Sequence, residues 1–112
     1  MTDRLGATFS ALADPTRRAV VGLLRKKPQR ASDMAAALAT SRPAMSRHLR
    51  VLRRAGLVEE DSPDEDARVR LYQLRREPFA DARAWIEDVE TFWRVQLDAF
   101  KAHAERAGRR RK

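Results

Sequence analysis

The 112-residue sequence predicts a mainly α-helical fold with one small β-hairpin. Apolar residues recur every three or four positions in five separate segments, which is the period of amphipathic helices. Two short apolar segments flank an acidic stretch at residues 59–66, and this order indicates two strands joined by a turn. We therefore expect five helices and a two-stranded hairpin in one domain, residues 1–107. A basic tail, residues 108–112, is expected to be disordered.

The composition narrows the classes of protein that the chain can be. Lysine and arginine number 24 against 16 acids, a net charge of +8, which suits a polyanionic partner. Cysteine is absent, which excludes disulfides and thiolate metal sites. No apolar stretch approaches the roughly 18 residues of a membrane span. The first residues lack the pattern of a signal peptide, so we expect a cytoplasmic protein.

Two helices are predicted before Pro28. The first has Leu5, Phe9 and Leu12 at helical spacing. Asp14 can cap the second, because its carboxylate accepts backbone N–H bonds, and Pro15 suits a first helical position that needs no N–H. The apolar side chains of the second helix are expected to point inward and the basic ones toward water or a partner: Val20, Leu23 and Leu24 inward, and Arg17, Arg18, Arg25 and Lys26 outward.

Residues 32–58 predict two further helices joined by a tight turn. Ser32 is expected to open the first, and Ser41 is expected to cap the second. The second helix, residues 42–55, carries five arginines and no acid, and Gly56 is expected to end it in the left-handed conformation. Such a cationic helix, supported by a small first helix, has the shape that fits the major groove of DNA. The residues expected to be buried are Met34, Ala35 and Leu38 in the first helix and Met45, Leu49 and Leu52 in the second.

The hairpin and a last helix follow. Strands around residues 57–58 and 69–74 are expected to flank the acidic turn as a wing beside the helix pair. From Phe79 to about Glu105 the apolar residues form a wide stripe that includes two tryptophans. So small a domain has little core left to cover this stripe, so we expect it to form a homodimer interface together with the stripe on residues 5–12. The predicted interface residues are Leu5, Phe9, Leu12, Trp85, Val89, Phe92, Trp93, Leu97 and Phe100.

Three segments resemble one known family. ALADPTRRAVVGLL (11–24), SRPAMSRHLRVLRRAGLVEE (41–60) and RVRLYQL (68–74) are similar to ArsR-type winged-helix transcriptional regulators, over about residues 5–100. The segment WIEDVETFWRVQL is similar to a branch of that family without the usual metal ligands. The resemblance implies a dimeric repressor. It also implies DNA-contacting positions, with Arg42, Ala44, Ser46 and Arg47 facing bases and His48 and Arg50 at or near the edge that contacts the backbone.

The sequence departs from the family pattern at the positions of the metal ligands, in the turn between the two helices and at the tip of the wing. Metal-sensing members carry a Cys-rich motif at the position that Asp33–Ala37 occupies here, and this segment has no cysteine. Asp98 and His103 in the last helix are five residues apart, a spacing that does not place them on one helix face. We therefore expect neither a metal nor a cofactor. Ala39 stands where the turn often has Gly, at a cost of about 1 kcal/mol if it is left-handed. The acidic wing tip leaves Arg68 and Arg70 to approach the minor groove or the phosphates.

The sequence therefore predicts a homodimer that binds double-stranded DNA at an inverted repeat and represses transcription. We expect Arg42 or Arg47 to read guanine, and we expect Arg50, Arg54 and the wing arginines to hold phosphates. His48 is more simply a structural residue. No catalytic constellation is visible, so an enzyme is not expected. The alternatives are a metal- or metalloid-responsive repressor, a protein-interaction module of the same fold that does not bind DNA, and a general nucleoid-type binder.

Overall fold

The structure is a computed structural model, and it describes residues 3–61 and 70–110. The chain divides into two compact units, residues 1–82 and 83–112. Within the described ranges the predicted five helices and two-stranded hairpin are confirmed. The elements are α1 (Arg4–Leu12), α2 (Pro15–Leu24), α3 (Ala31–Ala37), α4 (Arg42–Arg54), β1 (Val58–Asp61), β2 (Leu71–Leu74) and α5 (Arg76–Arg110). No described helix is both long and apolar enough to cross a membrane.

Side chains at the start of α2 satisfy backbone groups on both sides of the α1–α2 turn. Asp14 caps α2 as predicted, since its Oδ1 accepts a bond of 3.0 Å from the Arg17 backbone N–H. The expectation that Arg18 faces water is confirmed, whereas Arg17 is half-buried. Arg17 Nε donates to Ala11 O at 2.6 Å, and Arg18 Nη1 donates to Leu12 O at 2.8 Å. The last carbonyls of a helix have no partner within it, and these guanidinium groups supply one.

The start of α3 differs from the prediction, whereas the turn after it agrees. Ser32 does not open α3; the N-cap is Arg30, which makes no capping bond with its side chain. Gln29 exchanges backbone bonds with Tyr72 at 3.1 and 2.8 Å, and this bridge fixes where the extended chain stops and the helix starts. Beyond the end of α3, Ala39 has φ of 51°, so the residue that stands where the turn often has Gly is left-handed.

The core of the first unit lies between the helices α1 to α4 and the hairpin. The predicted stripe of α4 is confirmed as fully buried, and so are the apolar positions of α3 next to it, apart from Leu38, which is half-buried. Gly56 ends α4 with φ of 80°, as predicted. The largest fully buried apolar side chains are Val20, Met34, Met45, Leu49, Leu52, Leu57 and Val58.

The hairpin is an antiparallel pair whose register runs from Val58 opposite Leu74 to Asp61 opposite Leu71. The Gln29–Tyr72 bridge adds a short third segment on the other side of β2. Val58 and Leu57 point into the core, which holds the hairpin against α4. The acidic apex of the predicted wing and Arg68 lie outside the described residues.

The last helix is longer than the sequence indicated. It begins at Arg76 instead of Phe79, because a proline at residue 78 is tolerated in a first turn where N–H groups have no helical partner. It continues to Arg110. Disorder of the tail, residues 108–112, stays a prediction. Arginines at a helix C-terminus interact favourably with the helix dipole, which explains the extension. The single-domain boundary at residue 107 stays a prediction.

Candidate nucleic-acid interface

The interface is built on α4, whose two faces have opposite character. Ser41 Oγ accepts a bond of 3.2 Å from the Ala44 backbone N–H and fixes the first turn. Burial of Met45, Leu49 and Leu52 then fixes the rotation of the helix about its axis. The opposite side is consequently turned to solvent. Its exposed polar residues are Arg42, Ser46, Arg47, Arg50, Arg53 and Arg54, and Pro43 and Val51 are exposed there as well.

The predicted base-reading residues are close together at the start of α4. Arg42, Ser46 and Arg47 are exposed, and Ala44 is half-buried. Arg42 and Ser46 also line a small cleft of about 210 Å³ with residues of the first turn of α3. A planar guanidinium with five donors and a serine hydroxyl can satisfy the acceptors on base edges and phosphates.

His48 lies on a different side of α4 from the exposed arginines. Its ring is half-buried, and Nδ1 is 3.5 Å from Arg17 Nη1. Arg17 also bonds to Ala11 O, so these contacts connect the end of α1, the start of α2 and the middle of α4. The structural interpretation of His48 agrees with this position, whereas its contact with the DNA backbone stays a prediction.

An ion-pair group between α4 and the wing was missed by sequence reasoning. The Glu60 side chain is only 14% exposed, with Oε2 at 2.9 Å from Arg53 Nη1 and Oε1 at 3.4 Å from Arg70 Nη1. Tyr72, opposite Glu60 in the hairpin register, has its pKa raised by burial and by the neighbouring Glu60 charge, so the phenol stays neutral. Arg70, predicted to contact DNA, is thus already bound to a carboxylate. Among six nearby acids, nothing in the sequence distinguishes Glu60.

A shallow cleft joins α4 to β2 beside this group. It has a volume of about 210 Å³ and is lined by Ser46, Leu49, Arg50, Arg53 and Tyr72. Arg50 and Arg53 of α4 and Tyr72 of the wing therefore line one common cleft. Within residues 3–61 and 70–110, no three His, Cys, Asp or Glu side chains are grouped in a way that could hold a metal ion.

Comparison with known proteins identifies the family. A family model described as a helix-turn-helix domain matches residues 12–61, which span α2 to β1. The HTH-type transcriptional regulator Rv2034 of Mycobacterium tuberculosis is 41% identical to this chain over 92 residues. The alignment covers 82% of this chain and 80% of the length of Rv2034. An ArsR-like transcriptional regulator from Rhodococcus sp. RHA1 superposes with a TM-score of 0.79 at 31% identity, over 91% of each chain. The chain belongs to the ArsR-type winged helix-turn-helix family.

Membership of the ArsR-type family confirms the resemblance found in the sequence. A third relative, the transcriptional repressor SdpR of Bacillus subtilis, is 36% identical over 52 residues, covering 46% of this chain and 58% of its own. These relatives are regulators of transcription, so this chain is a DNA-binding transcriptional regulator and not an enzyme.

Proposed function

We propose that this ArsR-type regulator is a sequence-specific repressor that binds an inverted-repeat operator as a homodimer. One observation carries the DNA-binding part of the proposal. Arg42, Arg47, Arg50 and Arg54 stand exposed on α4, and none forms an ion pair with a residue in the described part of the chain. Four uncommitted cations on a helix anchored by its other face are available for phosphates and base edges.

The roles within this surface follow from position along α4. Arg42 and Arg47 lie in the first two turns, the part of a recognition helix that approaches base edges. Arg50 and Arg54 lie further along, where contact with the phosphates is the more common role of arginine. Arg70 can join the phosphate contacts only if Glu60 shares or releases it.

Self-association is supported by the second unit. Large apolar side chains there are exposed in the single chain, with Phe92 at 63%, Trp93 at 60% and Phe100 at 71%. Contiguous exposed apolar surface of this kind marks an interaction site. A twofold dimer would also present two α4 helices to successive major grooves about 34 Å apart. Repression is supported by the 36% identity to the repressor SdpR over part of the chain.

Selection of bound duplexes from a random pool tests the proposal directly, because an inverted repeat in the selected sequences would reveal the operator and its symmetry. On that operator, Arg47→Ala should relax the preference at one base pair and cost about 1–3 kcal/mol. Arg54→Ala should weaken all duplexes alike and lower the salt slope by about 1. Equal effects of both substitutions on every duplex would contradict the assigned roles. Binding to no duplex at low salt would contradict the function and favour a protein-interaction module.

A further inference from the structure

A wide groove opens in the first unit between the end of α2, β2 and the first turn of α5. Its volume is about 690 Å³, within the range of small-molecule sites. The floor is apolar, formed by Val21, Leu24, Leu74 and Phe79. Among the described residues none from α4 lines it, so it is distinct from the DNA-binding surface. The groove is therefore a second concave site, and the proposed contacts with DNA do not involve it.

The edge of this groove is strongly basic. Arg25, Lys26 and Lys27 follow one another at the end of α2, and Arg75 and Arg76 follow β2. Arg75 lies 3.9 Å from Glu59 and 3.8 Å from Glu77, so its charge is largely matched. The other four form no ion pair with any residue in 3–61 or 70–110, and the described lining contains no acid. Four unmatched cations around an apolar floor create a positive potential that favours an anion.

We propose that this groove binds an amphipathic organic anion, a carboxylate attached to an aliphatic or aromatic body. The body would cover Val21, Leu74 and Phe79, which are only partly buried by the protein itself. The carboxylate would lie among the cations of residues 25–27 and Arg76, where charge-assisted hydrogen bonds are available. A purely inorganic anion would leave the apolar floor uncovered, and a neutral hydrocarbon would leave the charges unmatched.

The groove shares a strand with the wing, which links occupancy to DNA binding. Leu74 and Gln73 of β2 line the groove. The residue before Gln73 is Tyr72, which lies opposite Glu60, the partner of Arg53 in α4. Gln29 Nε2 also donates to Leu23 O at 2.8 Å, which ties the end of α2 to the residue that bridges Tyr72. A bound anion adds negative charge to a regulator of net charge +8, so it should weaken attachment to phosphates. This regulatory part rests on the proposed function, whereas the binding part does not.

Binding is tested on the full chain without DNA, by calorimetric titration with dodecanoate below its micellar concentration. Octanoate should bind at least about tenfold more weakly because four methylenes are removed. Dodecyltrimethylammonium, with the same tail and the opposite charge, should not bind. Equal binding of both dodecyl compounds would overturn the proposal, since it would show adsorption to exposed apolar surface without recognition of charge.

Matched double variants locate the site. Lys26→Gln with Lys27→Gln should weaken dodecanoate binding by about tenfold. Lys101→Gln with Arg106→Gln removes the same charge from exposed positions of the second unit and should leave binding unchanged. Equal losses of binding in both double variants would overturn the proposal. Binding of dodecanoate by a monomeric variant but not by the unaltered chain would also overturn it, and would indicate that a second copy of the chain occupies the groove. Duplex affinity measured with and without dodecanoate then tests the regulatory part separately from DNA binding itself.

Discussion

Arg53 of α4 and Glu60 of β1 form an ion pair, with Arg53 Nη1 at 2.9 Å from Glu60 Oε2. The pair joins the recognition helix to the wing, and the same carboxylate also holds Arg70 at 3.4 Å. Two of the cations nearest to the wing are therefore neutralised within the protein before DNA arrives. A cation that is paired with an acid of the same protein contributes less to the attraction of any DNA duplex, whatever the sequence of the duplex.

Replacement of this carboxylate should make the protein a stronger and less selective DNA binder. Glu60→Gln frees Arg53 and Arg70 for phosphates, so the affinity for random duplexes should rise and the salt slope should steepen by about 1 to 2. Fluorescence anisotropy over a series of salt concentrations measures both quantities. Glu59→Gln is the matched control, because it changes the adjacent acid, whose contacts are with Gln73 and Arg75. If both variants behave alike, the ion-pair group has no special role.

The cap of α2 should make stability depend on pH at the acid end. The Arg17 backbone N–H, followed by the Arg17 and His48 charges, lowers the pKa of Asp14. A carboxyl with a lowered folded pKa binds fewer protons when folded, so its contribution is full above its unfolded pKa of about 4 and is lost as pH falls through the lower folded value. Asp14→Asn keeps a capping acceptor but cannot titrate. Urea unfolding from pH 6 to pH 2 should therefore show a smaller acid-dependent loss in the variant, and parallel profiles would exclude Asp14 as a contributor.

The turn before α4 should be stabilised by glycine. Ala39 has φ of 51°, a conformation that costs a residue with a Cβ about 1 kcal/mol. Ala39→Gly should raise the free energy of unfolding by up to about 1 kcal/mol, reduced in part by the greater freedom of glycine in the unfolded chain. Ala36→Gly, on the exposed side of α3, should have the opposite sign and lower it by about 1 kcal/mol. Denaturant titration distinguishes the two, and destabilisation by both would show that the turn is not strained.

The exposed aromatic surface of the second unit should be needed for self-association. Trp93→Glu places a charge where we propose dimer contact, so sedimentation should show a monomer and operator affinity should fall. Gln96→Glu adds the same charge to an exposed polar position of the same helix and should leave the dimer intact. A dimer that survives Trp93→Glu would remove this helix from the interface.

Most of the first unit could be predicted because its signals are local. The spacing of Met45, Leu49 and Leu52 alone fixes which side of α4 is buried, and it thereby exposes the arginines. Asp14, Ser41 and Gly56 act within three residues of their own positions, so their roles are visible in the sequence.

Other features depend on contacts that only folding creates. Arg17 had the pattern of a solvated cation, but the α1–α2 turn brings the Ala11 carbonyl to it. Ser32 looked like a better cap than Arg30, but the backbone bridge of Gln29 to Tyr72, 43 residues later, decides where α3 starts. Glu60 differs from its acidic neighbours only in the partners that α4 and β2 supply.

The backbone bridge from Gln29 to Tyr72 also limits the access of other strands to one edge of the hairpin. Strand β2 is bonded to β1 on one side and to Gln29 on the other, so the middle of its outer edge is occupied. The open edge in the described hairpin is that of β1, whose exposed acids are Glu59 and Asp61. Acids along an open strand repel a like strand from a neighbouring chain. For a basic protein that gathers on nucleic acid, these acids oppose aggregation through the hairpin edge.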